Sequence, residues 1–449
     1  MFNDSPPADA SSLHGLCGGA VLLPGDRSYD NARAAWNLAV DQHPAAIAYP
    51  ADAAETAEVV RAAAAAGLRV APQGTGHNAG PLGALGDAVL LRTSAMIGTA
   101  VDPVTGRARV RAGVRWLDVT EAAADHGLAA LHGSSPSVGV VGYSLGGGLG
   151  WYARALGQQS DSVTAVELVT ADGQLVRADA AHEPELFWAL RGGGGNFGVV
   201  TALEFALHPI RTVSAGALRW DWRHTGPVLR RWARWAAEAP DGVTSSLRLL
   251  PASATERRTV AVDAVVLGDV DRAAKVLAPL RELGPEVDTF AAATPRAVAL
   301  MQLYPRDPSA IVADSAVLGG LPDAALDALQ EAASPESGSS QVMVELRQLG
   351  GALGRPRPDA GASELADGAF LVVASTIASR LVPQEQSVGA CTRVLAALAP
   401  YANGRHCLNF ATRAVDARTG FPAESWQRLR AVRAAVDPGG LFLANHPLP

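Results

Sequence analysis

The heptapeptide Pro72-Gln73-Gly74-Thr75-Gly76-His77-Asn78 constrains the fold of this chain more than any other stretch. It closes a βαβ unit: Ile47 to Tyr49 reads as a short strand, Asp52 to Ala66 as a helix, and Leu68 to Ala71 as a second strand. Asp52 can cap the helix, Glu55 three residues on completes a capping box, and Gly67 suits the left-handed stop. Gly74 to Ala79 satisfies the loose dinucleotide pattern of a Rossmann turn, but the residues after it contradict that reading. Pro81, Gly83 and Gly86 forbid the helix whose N-terminus would hold a pyrophosphate, and no acidic residue stands about 20 positions on to take a ribose. The loop must therefore meet an anion with its own amides, where missing side chains let the backbone approach closely.

Two later segments ask for the same anion. Gly133 to Gly150 is dense in glycine, and Arg191-Gly192-Gly193-Gly194-Gly195-Asn196-Phe197-Gly198 runs into the β-patterned Val199 to Leu207. Between them, Val163 to Val169 and Gln174 to Arg177 pair across the turn Ala171-Asp172-Gly173, and Glu183 to Leu190 reads as a helix. Upstream, Ala88 to Arg92 reads as a strand, Gly98 to Val114 as a hairpin turning at Pro103 to Gly106, and Trp116 to His126 as a helix stopped by Gly127. One rival reading is a serine hydrolase. Gly142-Tyr143-Ser144-Leu145-Gly146 matches the nucleophile elbow after the apolar Val138 to Val141. Against Ser144 as nucleophile, Gly146, Gly147, Gly148 and Gly150 are poor filling for the helix an elbow needs, at about 1 kcal/mol each relative to alanine.

The chain has 449 residues, more than one core usually serves, with 48% hydrophobic and 18% charged residues. From about Arg211 the texture changes to aromatic-bearing helices around Trp220 to Trp235 and apolar strands near Val260 to Leu267 and Gln341 to Leu349. A net charge of -7 without a basic patch argues against nucleic acid and anionic membrane surfaces, leaving a small molecule as the expected partner of a monomer or homodimer. Cys17, Cys391 and Cys407 are too few and scattered for a disulfide framework or a metal site. Met1 to Ala10 lacks the features of a signal peptide and no window approaches a membrane span, so a cytoplasmic location is expected.

The order of these segments resembles the berberine bridge enzyme-like oxidases, which share the vanillyl-alcohol oxidase and p-cresol methylhydroxylase (PCMH) flavoprotein fold. The resemblance rests on the loop ending Gly76-His77; on Ser135-Pro136-Ser137-Val138-Gly139-Val140-Val141-Gly142 with Gly146 to Gly148; on Arg191 to Gly198; and on Val436-Asp437-Pro438-Gly439-Gly440-Leu441-Phe442 with Asn445. It implies an α+β architecture: a PCMH-type FAD-binding domain over 1–210, a substrate domain over 211–400 with an antiparallel sheet covered by helices, and a C-terminal return over 401–449. It implies FAD, held by Pro72, Gln73, Gly74, Thr75, Gly76, Asn78, Ser134, Ser137, Val138, Gly139, Gly142, Gly146, Val199 and Asn445. It also implies a covalent bond from His77 to the 8α carbon of the flavin. Many relatives add a thioether from a cysteine where this chain has Ser135, so a single link is expected.

By the same resemblance Val138 is the oxygen gate of an oxidase that gives H2O2, and Tyr143 stands where some relatives place a histidine facing the flavin. The family's catalytic tyrosine belongs to a Tyr-x-Asn segment that here reads Cys407-Leu408-Asn409-Phe410. A buried cysteine is ordinarily small packing, so other candidates for the base enter: Glu345 and Arg347, which share a strand face by period two, and Tyr401 with His406 near the altered segment. The expected reaction is hydride transfer from an alcohol, sugar, amine or secondary metabolite to flavin, with O2 as acceptor. A dehydrogenase or an oxidative cyclase of the same fold are the alternatives.

Overall fold

The computed structural model describes residues 9–253, 256–302, 304–339, 341–355, 357–365, 367–380 and 382–449; Met1 to Ala8, part of the segment read for a signal peptide, lie outside them. Three sheets organise the described residues. The first has β1 (Val21–Leu22), β2 (Ala46–Ala48), β3 (Arg69–Gln73) and β4 (Ala88–Arg92) in the order β1-β2-β4-β3, with β2, β4 and β3 parallel. Helix α1 (Ala53–Ala65) makes the crossover. Asp52 Oδ1 accepts the amides of Ala54 and Glu55, while the Glu55 carboxylate returns to the amide of Ala51, one residue before the expected box partner. Gly67 leaves the helix at φ 70°.

The second sheet is antiparallel: β5 (Thr99–Asp102), β6 (Arg107–Arg111), β7 (Val163–Val169), β8 (Leu175–Asp179) and β9 (Val199–Ala206), ordered β5-β6-β9-β7-β8. Helices α2 (Trp116–Ala124), α3 (Val140–Leu145) and α4 (Pro184–Leu190) belong to this part. Trp116, Phe205 and Phe197, all fully buried, fill the core against it. Val138 to Val141 is thus no strand before an elbow. Its second half opens α3, because Val140 and Val141 are both buried and a continuous apolar run does not distinguish strand from helix.

The third sheet carries β10 (Val213–Asp221), β11 (Val243–Leu250), β12 (Thr259–Val266), β13 (Val287–Asp288), β14 (Ala291–Ala293), β15 (Ile311–Leu318), β16 (Met343–Gln348) and β17 (Phe370–Ile377). Its order is β13-β10-β12-β11-β16-β17-β15, with β14 also on β10, and every pairing is antiparallel. Trp220 lies on β10 and not on a helix, and the aromatic helix is α5 (Thr225–Glu238), which buries Trp232 and Trp235. Helices α5, α6 (Val270–Arg281), α7 (Asp323–Ala332) and α8 (Gln384–Leu398) cover one face, where Val344 and Leu346 of β16 and Val372 and Ala374 of β17 point. Period two turns Met343, Glu345 and Arg347 the other way, toward the first two sheets.

After α9 (Ala423–Val436), the Asp437 carboxylate accepts the amides of Leu441 and Phe442 and pairs with Arg433 at 2.7 Å. This turn lays the tail along the free edge of β3, where the Val70 amide donates to Leu441 O and Leu443 donates back to Val70 O, both at 2.8 Å. The C-terminal segment therefore rejoins the first sheet beside the glycine loop.

Candidate active site

A cavity of about 700 Å³ lies between the glycine segments and the exposed face of the third sheet. Residues Pro72 to Asn78, Ser134, Ser135, Val138, Gly139, Gly142, Gly146 and Gly192 to Gly195 line one wall, and Asn445 reaches it from the tail. Gly76 holds φ 83°, and a Cβ there would come within 2.9 Å of Ala35 Cβ, so only glycine lets the loop lie against that segment. Gly142 and Gly195 differ: a Cβ at either meets nothing within 4 Å, although both line the cavity. Their missing side chains leave space open and are not required by packing inside the protein.

His77 is held on three sides within this wall. Its Nδ1 is 2.8 Å from Thr75 Oγ1, its Nε2 is 3.1 Å from Ser137 Oγ, and the Trp36 indole stacks on the ring at 3.9 Å between centroids. Burial pushes its pKa down to about 3, so the imidazole is neutral and nucleophilic at neutral pH. Asn78 sits beside it, accepting at its backbone carbonyl from Asn445 Nδ2 and donating from Nδ2 to Leu408 O at 3.3 Å. The Oδ1 atom of Asn78 is buried without a partner among the described residues.

The facing wall carries charge. Arg248 stands opposite Glu345 across β11 and β16, and Asp263 lies on the neighbouring β12. Arg248 Nε binds Asp263 Oδ2 at 2.5 Å, Arg347 Nη2 lies 3.0 Å from Glu345 Oε2, and Gln302 Nε2 bridges the two carboxylates at 3.3 and 3.2 Å. Tyr304 donates its phenol proton to Glu345 Oε2 at 2.8 Å, and its oxygen accepts from Arg347 Nη2 at 3.3 Å. The same Nη2 reaches Ser134 Oγ at 2.7 Å, and the guanidinium lies 4.8 Å above the Phe410 ring. Burial alone would raise the Glu345 carboxyl, but Arg347 and Arg248, with hydrogen bonds from Tyr304 and Gln302, hold it below the usual glutamate value. Burial and the Glu345 charge raise the Tyr304 phenol, so it keeps its proton.

The expected site residues divide accordingly. Glu345 and Arg347 meet at the cavity, and neither is a solvated surface group. Ser137 touches His77 without itself lining the cavity. Val199 is not at the wall: its side chain packs into the core under α1, and its neighbours Gly198 and Val200 line the space, by strand alternation. Tyr143 borders the cavity, but its phenol donates to Leu131 O at 3.3 Å and its ring sits edge-on to Trp116 at 5.3 Å. Asn409 spends its side chain on the backbone, accepting from the Gly148 amide at 2.8 Å and donating to Tyr143 O at 3.1 Å.

Cys407 packs with Leu149, Val317 and Leu349 away from the cavity lining, and burial pushes its thiol up to about 12, so it has no thiolate to act as base. Tyr401 and His406 also lie off the cavity; Tyr401 packs on the helical side of the third sheet and His406 binds Thr419 Oγ1 at 2.9 Å. Ser144 is a helix residue on α3, 1% exposed, donating to Val140 O at 2.8 Å, and it fits no elbow. Sequence reasoning missed Tyr304, Trp36, Gln302 and the Arg248–Asp263 pair. Only the last left a signal, one lone charge in each of two otherwise uncharged strands, Arg248 in β11 and Asp263 in β12.

Residues 44–179 match the family model of an FAD binding domain. (R)-6-hydroxynicotine oxidase of Paenarthrobacter nicotinovorans is 33% identical over 276 residues, 60% of this chain and 59% of that protein. The crystal structure of 6-hydroxy-D-nicotine oxidase from Arthrobacter nicotinovorans superposes with a TM-score of 0.85 at 26% identity, covering 96% of this chain and 97% of that one. A berberine bridge enzyme-like protein of Arabidopsis thaliana shares the fold with a TM-score of 0.83 at 18% identity, over 96% of this chain and 98% of its own. The chain thus carries an FAD binding domain and shares the fold of the berberine bridge enzyme-like flavoproteins. As in the expectation from sequence, the architecture combines helix and sheet in a PCMH-type domain joined to an antiparallel sheet.

For a flavoprotein of this fold the glycine wall fits the cofactor on its own evidence. Open Cβ positions at Gly142 and Gly195 leave room for a large planar or extended group, and the buried Oδ1 of Asn78 is an acceptor without a donor. Gly139, Val141 and Gly142, at the start of α3, line the same space, while the Val140 amide is spent on Val114 O at 3.0 Å.

Proposed function

We propose that this flavoprotein is an FAD-dependent oxidase. Its FAD is tethered by one covalent bond from His77, and its small-molecule substrate lies between the flavin and the Glu345–Arg347–Tyr304 cluster. The observation that carries the proposal is the single cavity that has a neutral, buried imidazole in a glycine wall on one side and a buried carboxylate beside a protonated phenol on the other. Bound FAD would supply the acceptor for a hydride and pass the electrons to O2, giving H2O2.

The chain's own residues handle position and protons. Loop Pro72 to Asn78, Ser134, Val138, Gly139, Gly142, Gly146 and Asn445 hold the cofactor, and Val138 leaves room beside it for oxygen. Ser135 cannot form a thioether, so the tether is single. A substrate hydroxyl or amine within reach of Tyr304 Oη can hand over its proton while Tyr304 passes its own to Glu345, 2.8 Å away. Arg347 fixes both partners and keeps Glu345 ionised until that proton arrives. The neutral sum of Arg248, Asp263, Glu345 and Arg347 asks for no net charge on the substrate.

Intact mass after denaturation should be heavier by one FAD in the wild type and not in His77→Ala; a wild-type chain of apoprotein mass would sink the tether. A panel of amines, alcohols and sugars read by peroxide formation tests the reaction. Substrate-reduced flavin that stays reduced on aeration would overturn the oxidase assignment.

A further inference from the structure

The Trp36 indole lies flat on the His77 imidazole, with 3.9 Å between centroids and 12° between planes. The contact is built in by the backbone. The Trp36 amide donates to Thr75 O at 3.0 Å and the Asn37 amide to Gly76 O at 3.4 Å, so residues 35–37 run along the loop that carries His77. From the other side the Ser309 amide donates to Trp36 O at 3.1 Å, and the indole N–H to Arg306 O at 3.4 Å. Trp36 is thus pinned between the glycine loop and the segment leading into β15.

A ring nitrogen attacks through a lone pair that lies in the ring plane, so whatever fixes that plane aims the nucleophile. Thr75 Oγ1 and Ser137 Oγ occupy the two nitrogen edges and set rotation within the plane. Ser137 Oγ is also 3.1 Å from Ser135 Oγ, a hydroxyl pair able to relay the proton the imidazole must lose.

Building on the proposed His77 tether, we propose that Trp36 is a positioning residue for self-catalysed flavin attachment, its indole face holding the His77 plane in line with the flavin methyl. In that step one C–H bond of the 8α-methyl breaks and a C–N bond to His77 forms. The two electrons of the C–H bond stay in the isoalloxazine ring, and the methyl and imidazole protons complete its reduction. O2 then reoxidises the ring and leaves as H2O2. A misaimed nucleophile loses much of the rate that proximity supplies.

The test adds FAD, without oxygen, to flavin-free protein from riboflavin-starved cells. Bleaching of the oxidised flavin band is followed beside covalent flavin fluorescence on a denaturing gel. Wild type should bleach in step with attachment, and His77→Ala should bind FAD without either. Trp36→Leu, which keeps bulk without a stacking face, should attach at least tenfold more slowly while still retaining FAD on gel filtration, and Trp36→Phe should recover most of the rate. Attachment by Trp36→Leu at the wild-type rate, or equal slowing in Trp36→Phe and Trp36→Leu, overturns the role of Trp36. A wild type that binds FAD but never attaches it overturns the tether instead.

Discussion

Removing both charges of the Arg347–Glu345 pair should cost less than the two single removals added together. At an effective dielectric of about 20, two unit charges 3.0 Å apart attract by roughly 5 kcal/mol, and breaking a buried pair from one side costs about 3–5 kcal/mol because an uncompensated charge stays behind. Side chains 10% and 2% exposed give that charge no water to turn to. Glu345→Gln should therefore lower stability by about 3–5 kcal/mol, and Arg347→Met by a similar amount. The double variant, neutral again, should fall short of the sum by at least about 2 kcal/mol. Urea unfolding at pH 7, followed by tryptophan emission, reads this; four of the nine tryptophans, Trp220, Trp222, Trp232 and Trp235, lie between β10 and the end of α5. Asp87→Asn is the control: its pair with Arg69 is 45% and 62% exposed and should matter by less than about 1 kcal/mol. Strictly additive single effects, or a Glu345→Gln loss no larger than that of Asp87→Asn, would refute the reading of these charges as one coupled buried unit.

Tyr304→Phe removes the phenol and leaves the ring; flavin reduction by whichever substrate the panel identifies should slow by about 10²–10⁴-fold with FAD content unchanged, and an unaltered stopped-flow rate would remove Tyr304 from the proton path. Cys407→Tyr puts a phenol at the family position but forces it into the packing around Leu149, Val317 and Leu349; the urea midpoint should drop, by about 1–3 kcal/mol of stability, with no gain in activity for Tyr304→Phe. Burial holds His132 at about 4 against 6.5 in the unfolded chain. Between those values the unfolded state binds more protons, so stability rises with pH, and roughly 2 kcal/mol should be lost on going from pH 7 to pH 5. His132→Gln should lose less over the same interval, and equal losses would show that His132 is not responsible.

Backbone demands were the legible part of the site. Gly76 at φ 83° and Pro81 after it are visible as residue types, and they place His77 in a non-helical loop before any coordinate is known. Period two was equally visible, which is why Glu345 and Arg347 could be assigned to one face. Period two could not test Val199, which the resemblance put at the cofactor, because the parity of a strand buried on both faces is not marked by polarity: Val199 and Val200 are both apolar and both buried. Trp36 and Tyr304 sit in irregular segments without periodicity. Trp36 reaches His77 through backbone bonds to Thr75 and Gly76, and Tyr304 reaches Glu345 across 41 residues of sequence, so only the tertiary fold brings them in.

Where the resemblance expects Tyr-x-Asn this chain has Cys407-Leu408-Asn409, and what each residue touches gives each its part. Asn409 persists because both ends of its amide hold backbone groups at the end of α3, and a Cβ on Gly146 would come 2.6 Å from its Nδ2. That brace fixes the C-terminal segment against the glycine wall whatever stands at position 407. Cys407, 3% exposed, then fills a gap among aliphatic side chains, where a thiol is a small hydrophobe. The proposed proton path uses a phenol beside the buried carboxylate, and Tyr304 is the hydroxyl that donates to Glu345 among the described residues. In the proposed reaction Tyr304 supplies it from the loop before β15, so the bracing by Asn409 and the proton handling proposed for Tyr304 fall on different segments of the chain.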